Sequence, residues 1–504
     1  MRKWWSGDPL QTETRASFRS INQKIAVSVV YVGAMFMAVM DLTIVNLALP
    51  TIARQFHASP ASVAATVIGY QVSLAVFIPA SSWLGDRFGA RQVLLGSIVI
   101  FTTASALCGL ASSLTELVTF RVLQGVGGGL MTPIGLAMLF RAFPPAERVR
   151  ASAILIVPTA LAPAVGPIIG GLFVTRLSWR WVFYVNVPVG ALAVIFGLIF
   201  LADQRLSMEG RFDVVGFVSS GLGLGLLMYG VSEGPNIGWA SDKVILSIAV
   251  GAVLLIAMVV IELRTAQPLL DLRLYSNRLF RSAGVTMILT SVAFFGLLYL
   301  LSLFFQDGLH LSALQAGLTI FPEALGVMIG SPLISRFLYP ALGPRRIIFT
   351  GLIVLAALMA ILSRVDTGTS LWLVRVILLF LGVSVAATFL PSQAAAFATI
   401  SAAKMGVAST VFNAQRYLGG AIGVAVLTTA ITALHTFHMV GGHRVANIHA
   451  YQIGLLVAAG IALLGALVAL SIHDPDAAST MVRRQRRGEP GLERSEVALG
   501  ELPN

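Results

Sequence analysis

Charged residues and cysteine are scarce in this chain of 504 residues. Only 11% of the residues are charged and 57% are hydrophobic, whereas a soluble globular domain carries roughly 25% charged residues. The single cysteine, Cys108, excludes an intramolecular disulfide and a cysteine metal cluster. The composition predicts a polytopic, all-α membrane protein whose helices cross the bilayer.

Fourteen segments are apolar over about the 20 residues that a helix needs to cross the hydrocarbon layer. Of the 34 Lys and Arg, 25 fall on the side of the termini, 6 on the opposite side and 3 within predicted helices. Because basic residues are enriched in cytoplasmic loops, both termini are predicted to be cytoplasmic. The net charge of +12 then reflects membrane orientation and not nucleic-acid binding. The helices are predicted to begin near residues 25, 62, 92, 113, 151, 181, 212, 244, 279, 312, 346, 370, 405 and 451.

An internal repeat relates helices one to six to helices nine to fourteen. Helix two is followed by "SSWLGDRFGARQVLLG" and helix ten by "SRFLYPALGPRRIIFTG", each a short basic loop that contains a Gly. Such repeats place a substrate site between two halves near the midplane. The predicted organisation is a cytoplasmic lead (1–24), an N-terminal six-helix bundle (25–203), two inserted helices (204–278), a C-terminal six-helix bundle (279–473) and a disordered cytoplasmic tail (474–504).

Two acids lie deep in apolar segments, where a buried charge is a functional candidate. Asp41 in "MDLTIVNLALP" lies eight residues from the predicted outer end of helix one, about 12 Å at 1.5 Å per residue. Arg121 lies at a similar depth in helix four, so the two side chains can meet if their helix faces converge. Removing water from a carboxylate favours its protonated form, and a nearby arginine favours the charged form. Asp41 is therefore predicted to carry a proton.

Glu323 in "LTIFPEALGVMIG" is the second deep acid, roughly 16 Å below Ser312 on helix ten. One interpretation is that its carboxylate neutralises a cationic substrate. The other is a structural ion pair with Arg416 or Arg375.

The loop "SSWLGDRFGARQ" resembles the loop between the second and third helices of major facilitator transporters, G-x-x-x-D-R-x-G-R-K. Asp86, Arg87, Gly89 and Arg91 match this pattern, and Ser82 replaces the first Gly. The loop can act as a conformational latch in which the acid binds a helix start and the arginines reach carbonyl ends or lipid phosphates. Plain positive-inside charge is the alternative. The second half has no acid at the equivalent place, so its latch is expected to be degenerate.

Helix five reads "VPTALAPAVGPIIGG" and resembles the antiporter motif of drug:proton exporters. Its Gly residues share a face that lets another helix approach closely, and ordinary packing is the alternative. Together with "WRWVFYVNVPVG" and "MDLTIVNLALP", the motif resembles the 14-helix EmrB/QacA-type branch of the major facilitator superfamily. The residues that match the antiporter motif are Pro163, Gly166, Pro167, Gly170 and Gly171.

The resemblance implies the major facilitator fold and proton-driven export of lipophilic, often cationic, compounds by alternating access. Arg121 and Gln124 match the R-x-x-Q-G element of this family, in which the arginine assists proton transfer. The residues expected to couple protons are Asp41, Arg121 and Glu323. The residues expected to bind substrate are Asp41, Asn46, Gln124, Glu323 and Arg416.

A dedicated exporter of one metabolite, antibiotic, siderophore or lipid on the same fold stays open as the alternative, because cargo breadth depends on cavity shape. The sequence has no paired acids, Ser/His dyad or metal cluster at spanning depth, and no nucleotide loop, so an enzyme or an ATP-driven pump is not expected. No cofactor or metal is predicted. The expected partners are a small molecule, protons and the lipids of a bacterial cytoplasmic membrane, and the sequence leaves open whether a periplasmic adaptor binds.

Overall fold

The computed structural model describes residues 22–143, 148–202, 213–265, 268, 270–401, 404–435, 437–440 and 443–481. Most of the predicted N-terminal lead, and the predicted tail beyond residue 481, lie outside this part. Within it the fold is helical apart from one antiparallel hairpin.

Twelve apolar helical segments are long enough to cross a membrane. One of them, Ala313–Leu362, is 50 residues long, or about 75 Å at 1.5 Å per residue. Because the hydrocarbon core is only about 30 Å thick, this segment crosses twice. A further helix of 29 residues, Arg148–Arg176, supplies the fourteenth crossing, and the predicted count is confirmed.

The spanning elements begin within three residues of their predicted starts except near residue 346, where the helix begins at Tyr339. The first seven crossings are α1–α2 (Gln23–Ile44 and Leu49–Gln55, joined by a 3-10 turn at Val45–Ala48), α3 (Pro60–Phe88), α4 (Ala90–Leu110), α5 (Leu114–Ala142), α6 (Arg148–Arg176), α7–α8 (Trp181–Tyr184 and Asn186–Phe200) and α9 (Val214–Ile237). The others are α10 (Asp242–Arg264), α11 (Arg278–Leu303), α12 (Ala313–Leu333), α13 (Tyr339–Leu362), α14 (Leu371–Phe397), α15 (Met405–Ala433) and α16 (Ile448–Ala469). The hairpin strands β1 (Phe437–Val440) and β2 (His443–Ala446) connect α15 to α16.

Two glycines at equivalent places in the repeat have a positive backbone φ. Gly89 separates α3 from α4 with φ 92°, and Gly343 interrupts α13 with φ 77°. Side chains with a Cβ are strained in this region, so glycine lets the chain turn sharply from one helix into the next. The predicted repeat is thus visible in the backbone as well as in the sequence.

The helices pack mainly within two groups that meet along two seams. α1 packs against α5, α6 and α8, whereas α11 packs against α14, α15 and α16. The seams are α3 against α15 and α6 against α12. The pair α9 and α10 pack together, and α9 lies against α3 and α15 at the edge of one seam.

The predicted disordered tail begins with ordered structure. Asp474–Thr480 forms a 3-10 helix that packs against α13 and α14, and Tyr339 Oη lies 2.7 Å from Thr480 Oγ1. The prediction of disorder from residue 474 is therefore wrong for these residues, because a short polar segment gains partners only after α13 and α14 have folded.

Candidate functional site

Asp41 and Arg121 form an ion pair in the interior of the first helix group. Arg121 Nη1 donates to Asp41 Oδ2 at 2.5 Å, and the side chains are 1% and 0% exposed. α1 and α5 therefore converge at these two residues. A buried carboxylate needs a cationic or hydrogen-bonding partner to offset the loss of water, and this pair supplies one.

Further amides complete the surroundings of the Asp41 carboxylate. Gln124 Nε2 donates to Asp41 Oδ1 at 2.9 Å, and Asn186 Nδ2 donates to the same oxygen at 3.4 Å. Asn186 also donates to Ser105 Oγ at 3.1 Å, and the Ser105 hydroxyl donates to Phe183 O at 2.9 Å. The result is a polar network that joins α1, α4, α5 and α8 within an apolar interior.

Asn186 and Ser105 were not among the predicted site residues. Asn186 is fully buried at the start of α8, in the quoted segment "WRWVFYVNVPVG". A carboxamide in an apolar segment requires a buried partner, and that rule would have selected Asn186 without identifying Asp41 as its partner. Asn186 Oδ1 has no hydrogen-bond partner among the described residues.

Arg121 is also held by α3. Its Nε donates to Thr66 O at 3.1 Å, and its guanidinium carbon lies 4.1 Å from the centre of the Tyr70 ring. Gly125, one turn along α5, lets the two helices approach, because a Cβ there would lie 2.6 Å from Tyr70 O. The guanidinium therefore stacks on an aromatic face at the same time as it pairs with Asp41.

The glycines of the predicted antiporter motif pack against helices from both groups. Gly166 and Gly170 lie against α1 next to Thr43 and Ile44, one turn from Asp41. On the other side, a Cβ at Gly171 would lie 2.6 Å from a backbone oxygen of α12. Pro167 O likewise contacts α12, and Pro163 is half-buried. α6 thus connects the surroundings of Asp41 to the second helix group, as a close-approach face predicts.

Glu323 is buried in the second group and has no charged partner among the described residues. Its side chain lies in α12 and the residue is 5% exposed, and its backbone packs closely against Gly382 of α14. In the described part of the chain neither Arg416 nor Arg375 pairs with it, so the structural ion pair considered from sequence is wrong for this conformation. Arg416 instead donates to Tyr417 Oη at 3.0 Å, and Arg375 stacks on Trp372 at 4.8 Å.

An aromatic cluster joins α11 to α14, the helix that packs against Glu323. The half-buried rings of Phe294 and Phe389 meet at 5.6 Å, and Phe295 is 5.4 Å from Phe294. Phe389 is seven residues from Gly382 on α14, about 10 Å along the axis. Aromatic faces attract apolar cations.

Asn46, the remaining predicted substrate residue, lies in the turn between α1 and α2. Its Nδ2 donates to Leu42 O at 3.3 Å, and among the described residues no hydrogen bond joins it to Asp41. Its buried Oδ1 has no hydrogen-bond partner among the described residues. Asn46 is thus a buried polar residue outside the Asp41 network, and it lies beyond the C-terminal end of α1.

The two helix groups are joined at the predicted outer face. Arg54 Nη1 lies 3.1 Å from Asp307 Oδ1, and Gln306 Nε2 donates to Leu47 O at 3.0 Å. The Tyr299 hydroxyl donates to the backbone oxygen of the first residue of α3 at 2.7 Å. These bonds connect α1–α3 to the end of α11 and hold this face closed.

The predicted latch loop is described in part. The side chain of Asp86 lies outside the described residues, Arg87 is exposed, and Arg91 Nη2 donates to Leu198 O at 2.7 Å. At the equivalent place in the second half, Asp474 Oδ1 accepts a hydrogen bond from the backbone N of Arg345 at 2.8 Å. An acid from beyond α16 therefore bonds the helix start that follows Gly343, and the expected degeneracy of the second latch stays a prediction.

Residues 31–424 match the family model of the Major Facilitator Superfamily. The chain is 34% identical over 407 residues to the Multidrug resistance protein B homolog of Mycobacterium tuberculosis, covering 80% of this chain and 75% of that protein. It is 32% identical over 412 residues to the Multidrug export protein EmrB of Escherichia coli, covering 80% of each chain.

Solved transporters share the fold at low sequence identity. The human organic anion transporter MFSD10 (TETRAN) superimposes with a TM-score of 0.58 and 16% identity, over 89% of this chain and 100% of that chain. A POT family transporter in complex with 5-aminolevulinic acid gives 0.65 and 15%, over 89% and 96%. These matches and the apolar helices identify an integral protein of a bacterial inner membrane that transports and is not an enzyme. The chain belongs to the Major Facilitator Superfamily.

Proposed function

We propose that this protein is a proton-coupled antiporter that exports lipophilic cations by alternating access. The observation that carries the proposal is the contrast between its two deep acids. Asp41 is neutralised by Arg121 at 2.5 Å, whereas Glu323 is 5% exposed and has no cationic partner among the described residues. The names of relatives that are multidrug resistance and export proteins support the same class of cargo.

Asp41 is assigned the proton and Glu323 the cargo charge. A proton on Asp41 cancels the charge that Arg121 balances, so Arg121 is then held only by the Tyr70 ring, 4.1 Å away, and by Thr66 O. α6 packs against both α1 and α12. A shift of α1 on protonation of Asp41 is therefore transmitted through α6 to the second helix group. A cation beside Glu323 replaces the missing counter-charge, since a carboxylate enclosed without a partner is costly.

Other polar side chains complete the proposed cargo site. Asp41 and Gln124 are fully buried here, so they contact cargo only in another conformation of the cycle. The unpaired Oδ1 of Asn46 and Nε of Arg416 are available for hydrogen bonds with cargo. The apolar remainder of such a cavity allows different lipophilic molecules to bind.

The proposed organisation keeps the predicted orientation and boundaries. Residues 25–203 and 279–473 form the two bundles that rock against each other, and residues 204–278 provide the inserted helices. The excess of basic residues on the terminal side supports a cytoplasmic location for both termini. The latch residues Arg87, Gly89 and Arg91, with Asp86, then face the cytoplasm and limit the change between conformations.

The test is transport in everted membrane vesicles that hold a proton gradient, followed with a pH-sensitive dye. Tetraphenylphosphonium is expected to discharge the gradient with the wild-type protein. Glu323→Gln is expected to lose this response to the cation while the protein still folds. Asp366→Asn, in a loop where the carboxylate bonds only with its neighbours, is the matched control and keeps the response.

Two results contradict the proposal. If Asp41→Asn exports at the wild-type rate and stays coupled to pH, Asp41 is not the proton carrier. If no lipophilic cation discharges the gradient and one metabolite or lipid does, the protein is a dedicated exporter.

A further inference from the structure

We propose that a groove between α3, α5 and the inserted helix α9 binds one acyl chain of a phosphatidylethanolamine lipid. The groove has a volume of about 520 Å³ and is separate from the Asp41 network. Its walls come from residues 65–77 of α3, two valines of α5 and the length of α9. The proposal is independent of the proposed cargo and of proton coupling.

The groove exists because several residues on its walls are glycines, which have no side chain to fill it. Gly69, Gly221 and Gly225 line it, and no heavy atom lies within 4 Å of where a Cβ would stand at Gly225. Most of the other lining side chains are aliphatic or aromatic. The hydroxyl of Ser73 is already used, since it donates to Val122 O at 2.7 Å. A hydrocarbon chain is the ligand that such walls favour.

The groove runs in the direction of a lipid chain and is long enough to hold the part of one chain that lies in its leaflet. Its lining on α9 runs from Phe217 to Glu233, 16 residues, or about 24 Å along the helix. Because α3 and α9 both span the membrane, the groove runs across the bilayer as acyl chains do. The hydrocarbon core is about 30 Å thick, so the groove extends from one interface past the midplane.

The end of the groove at the predicted outer face is polar and acidic. Glu233 lines this end, and its Oε2 accepts from Asn236 Nδ2 at 3.4 Å. Asn236 in turn bonds to Ser59 and Ser62 at the start of α3. Among the described residues no Lys or Arg lies within ion-pair distance of Glu233, so its charge is available to a ligand.

The carboxylate of Glu233 favours a lipid headgroup that carries a primary ammonium. A primary ammonium has three N–H donors and pairs with a carboxylate at the headgroup level, whereas a quaternary choline group has no N–H to donate. Tyr229 lies one turn before Glu233 on the same wall of the groove and presents a ring with a polar tip at the same level. The groove therefore favours an amine headgroup above an apolar chain.

The experiment measures lipid bound to the purified full-length protein. The protein is reconstituted in nanodiscs that contain equal amounts of phosphatidylethanolamine and phosphatidylcholine. It is then released from the nanodiscs in the mass spectrometer, and native mass spectrometry identifies the lipids that stay bound. One phosphatidylethanolamine per protein is expected, with about fivefold preference over phosphatidylcholine, the factor that corresponds to about 1 kcal/mol for the N–H hydrogen bond that choline cannot donate. Gly225→Leu fills the groove and is expected to remove the bound lipid.

Two further variants separate the headgroup from the chain. Glu233→Gln is expected to keep one bound lipid and to lose the preference for phosphatidylethanolamine. Gly460→Leu is the matched control, because Gly460 is exposed on α16 with no heavy atom within 4 Å, and it should retain the lipid. Equal binding of both lipids by the wild-type protein overturns the proposal. The proposal is also overturned if Gly225→Leu retains the lipid. A wild-type protein that is found as a dimer without bound lipid overturns it as well.

Discussion

Replacing Asp41 by Asn removes the charge that balances Arg121 while keeping the size of the side chain. The Arg121 guanidinium is 1% exposed and Asp41 Oδ2 lies 2.5 Å from it. Removing one partner of a buried ion pair leaves an uncompensated charge and costs about 3–5 kcal/mol. The amide oxygen of Asn still accepts one hydrogen bond, so a loss near 3 kcal/mol in the free energy of unfolding is expected for Asp41→Asn.

The double variant distinguishes pairing from simple packing. Arg121→Gln alone leaves Asp41 with only the amides of Gln124 and Asn186, at 2.9 and 3.4 Å. When both charges are removed, no uncompensated charge remains. Asp41→Asn with Arg121→Gln should therefore be less destabilised than the sum of the single variants, by about 1–3 kcal/mol.

The assay is unfolding of the purified protein in mixed micelles as the fraction of denaturing detergent rises, analysed as a double-mutant cycle. The exposed pair Arg54–Asp307, with side chains 61% and 16% exposed, is the control and should couple by about 1 kcal/mol or less. If the effects of Asp41→Asn and Arg121→Gln add without coupling, the argument that this pair neutralises a buried charge is refuted.

Three further outcomes follow from the helix contacts. Gly171→Leu should separate α6 from α12 and lower stability by about 1–3 kcal/mol, with loss of transport, whereas Gly460→Leu should change neither; thermal unfolding and dye export measure both. Arg54→Gln breaks the bond to Asp307 and should raise labelling of an introduced cysteine on the predicted outer side, and unchanged labelling contradicts its role in closure. Asp474→Ala removes the acceptor at the start of the helix after the glycine turn and should cost about 1 kcal/mol in thermal unfolding, the usual effect of losing a helix cap.

Hydropathy predicted most of the fold because a spanning helix is a local feature. About 20 apolar residues in a row suffice to cross the bilayer, whichever helices surround them. Depth along each helix follows from the rise per residue, so the common level of Asp41 and Arg121 followed from the sequence. Gly89 and Gly343 were also recognisable, because each lies in a short basic loop at the same place in the repeat.

Contacts between distant segments were not predictable from the same signals. Asn186 is 145 residues from Asp41, and Asp474 is 129 residues from Arg345. Which side chains meet depends on the rotation of each helix about its axis and on how closely helices approach. Glycine contacts such as Gly171 against α12 set that approach, and they form only when the whole bundle is assembled.

The sequence by itself determined the membrane class, the number of crossings and the two deep acids, because burial of apolar residues and the cost of buried charge act residue by residue. The tertiary structure decided what each acid contacts. It placed Asp41 within an arginine–amide network and opened the groove that ends at Glu233, and in the part of the chain that the structure describes no arginine pairs with Glu323. The physical reason is that pairing and cavities depend on distances between helices, which no single segment encodes.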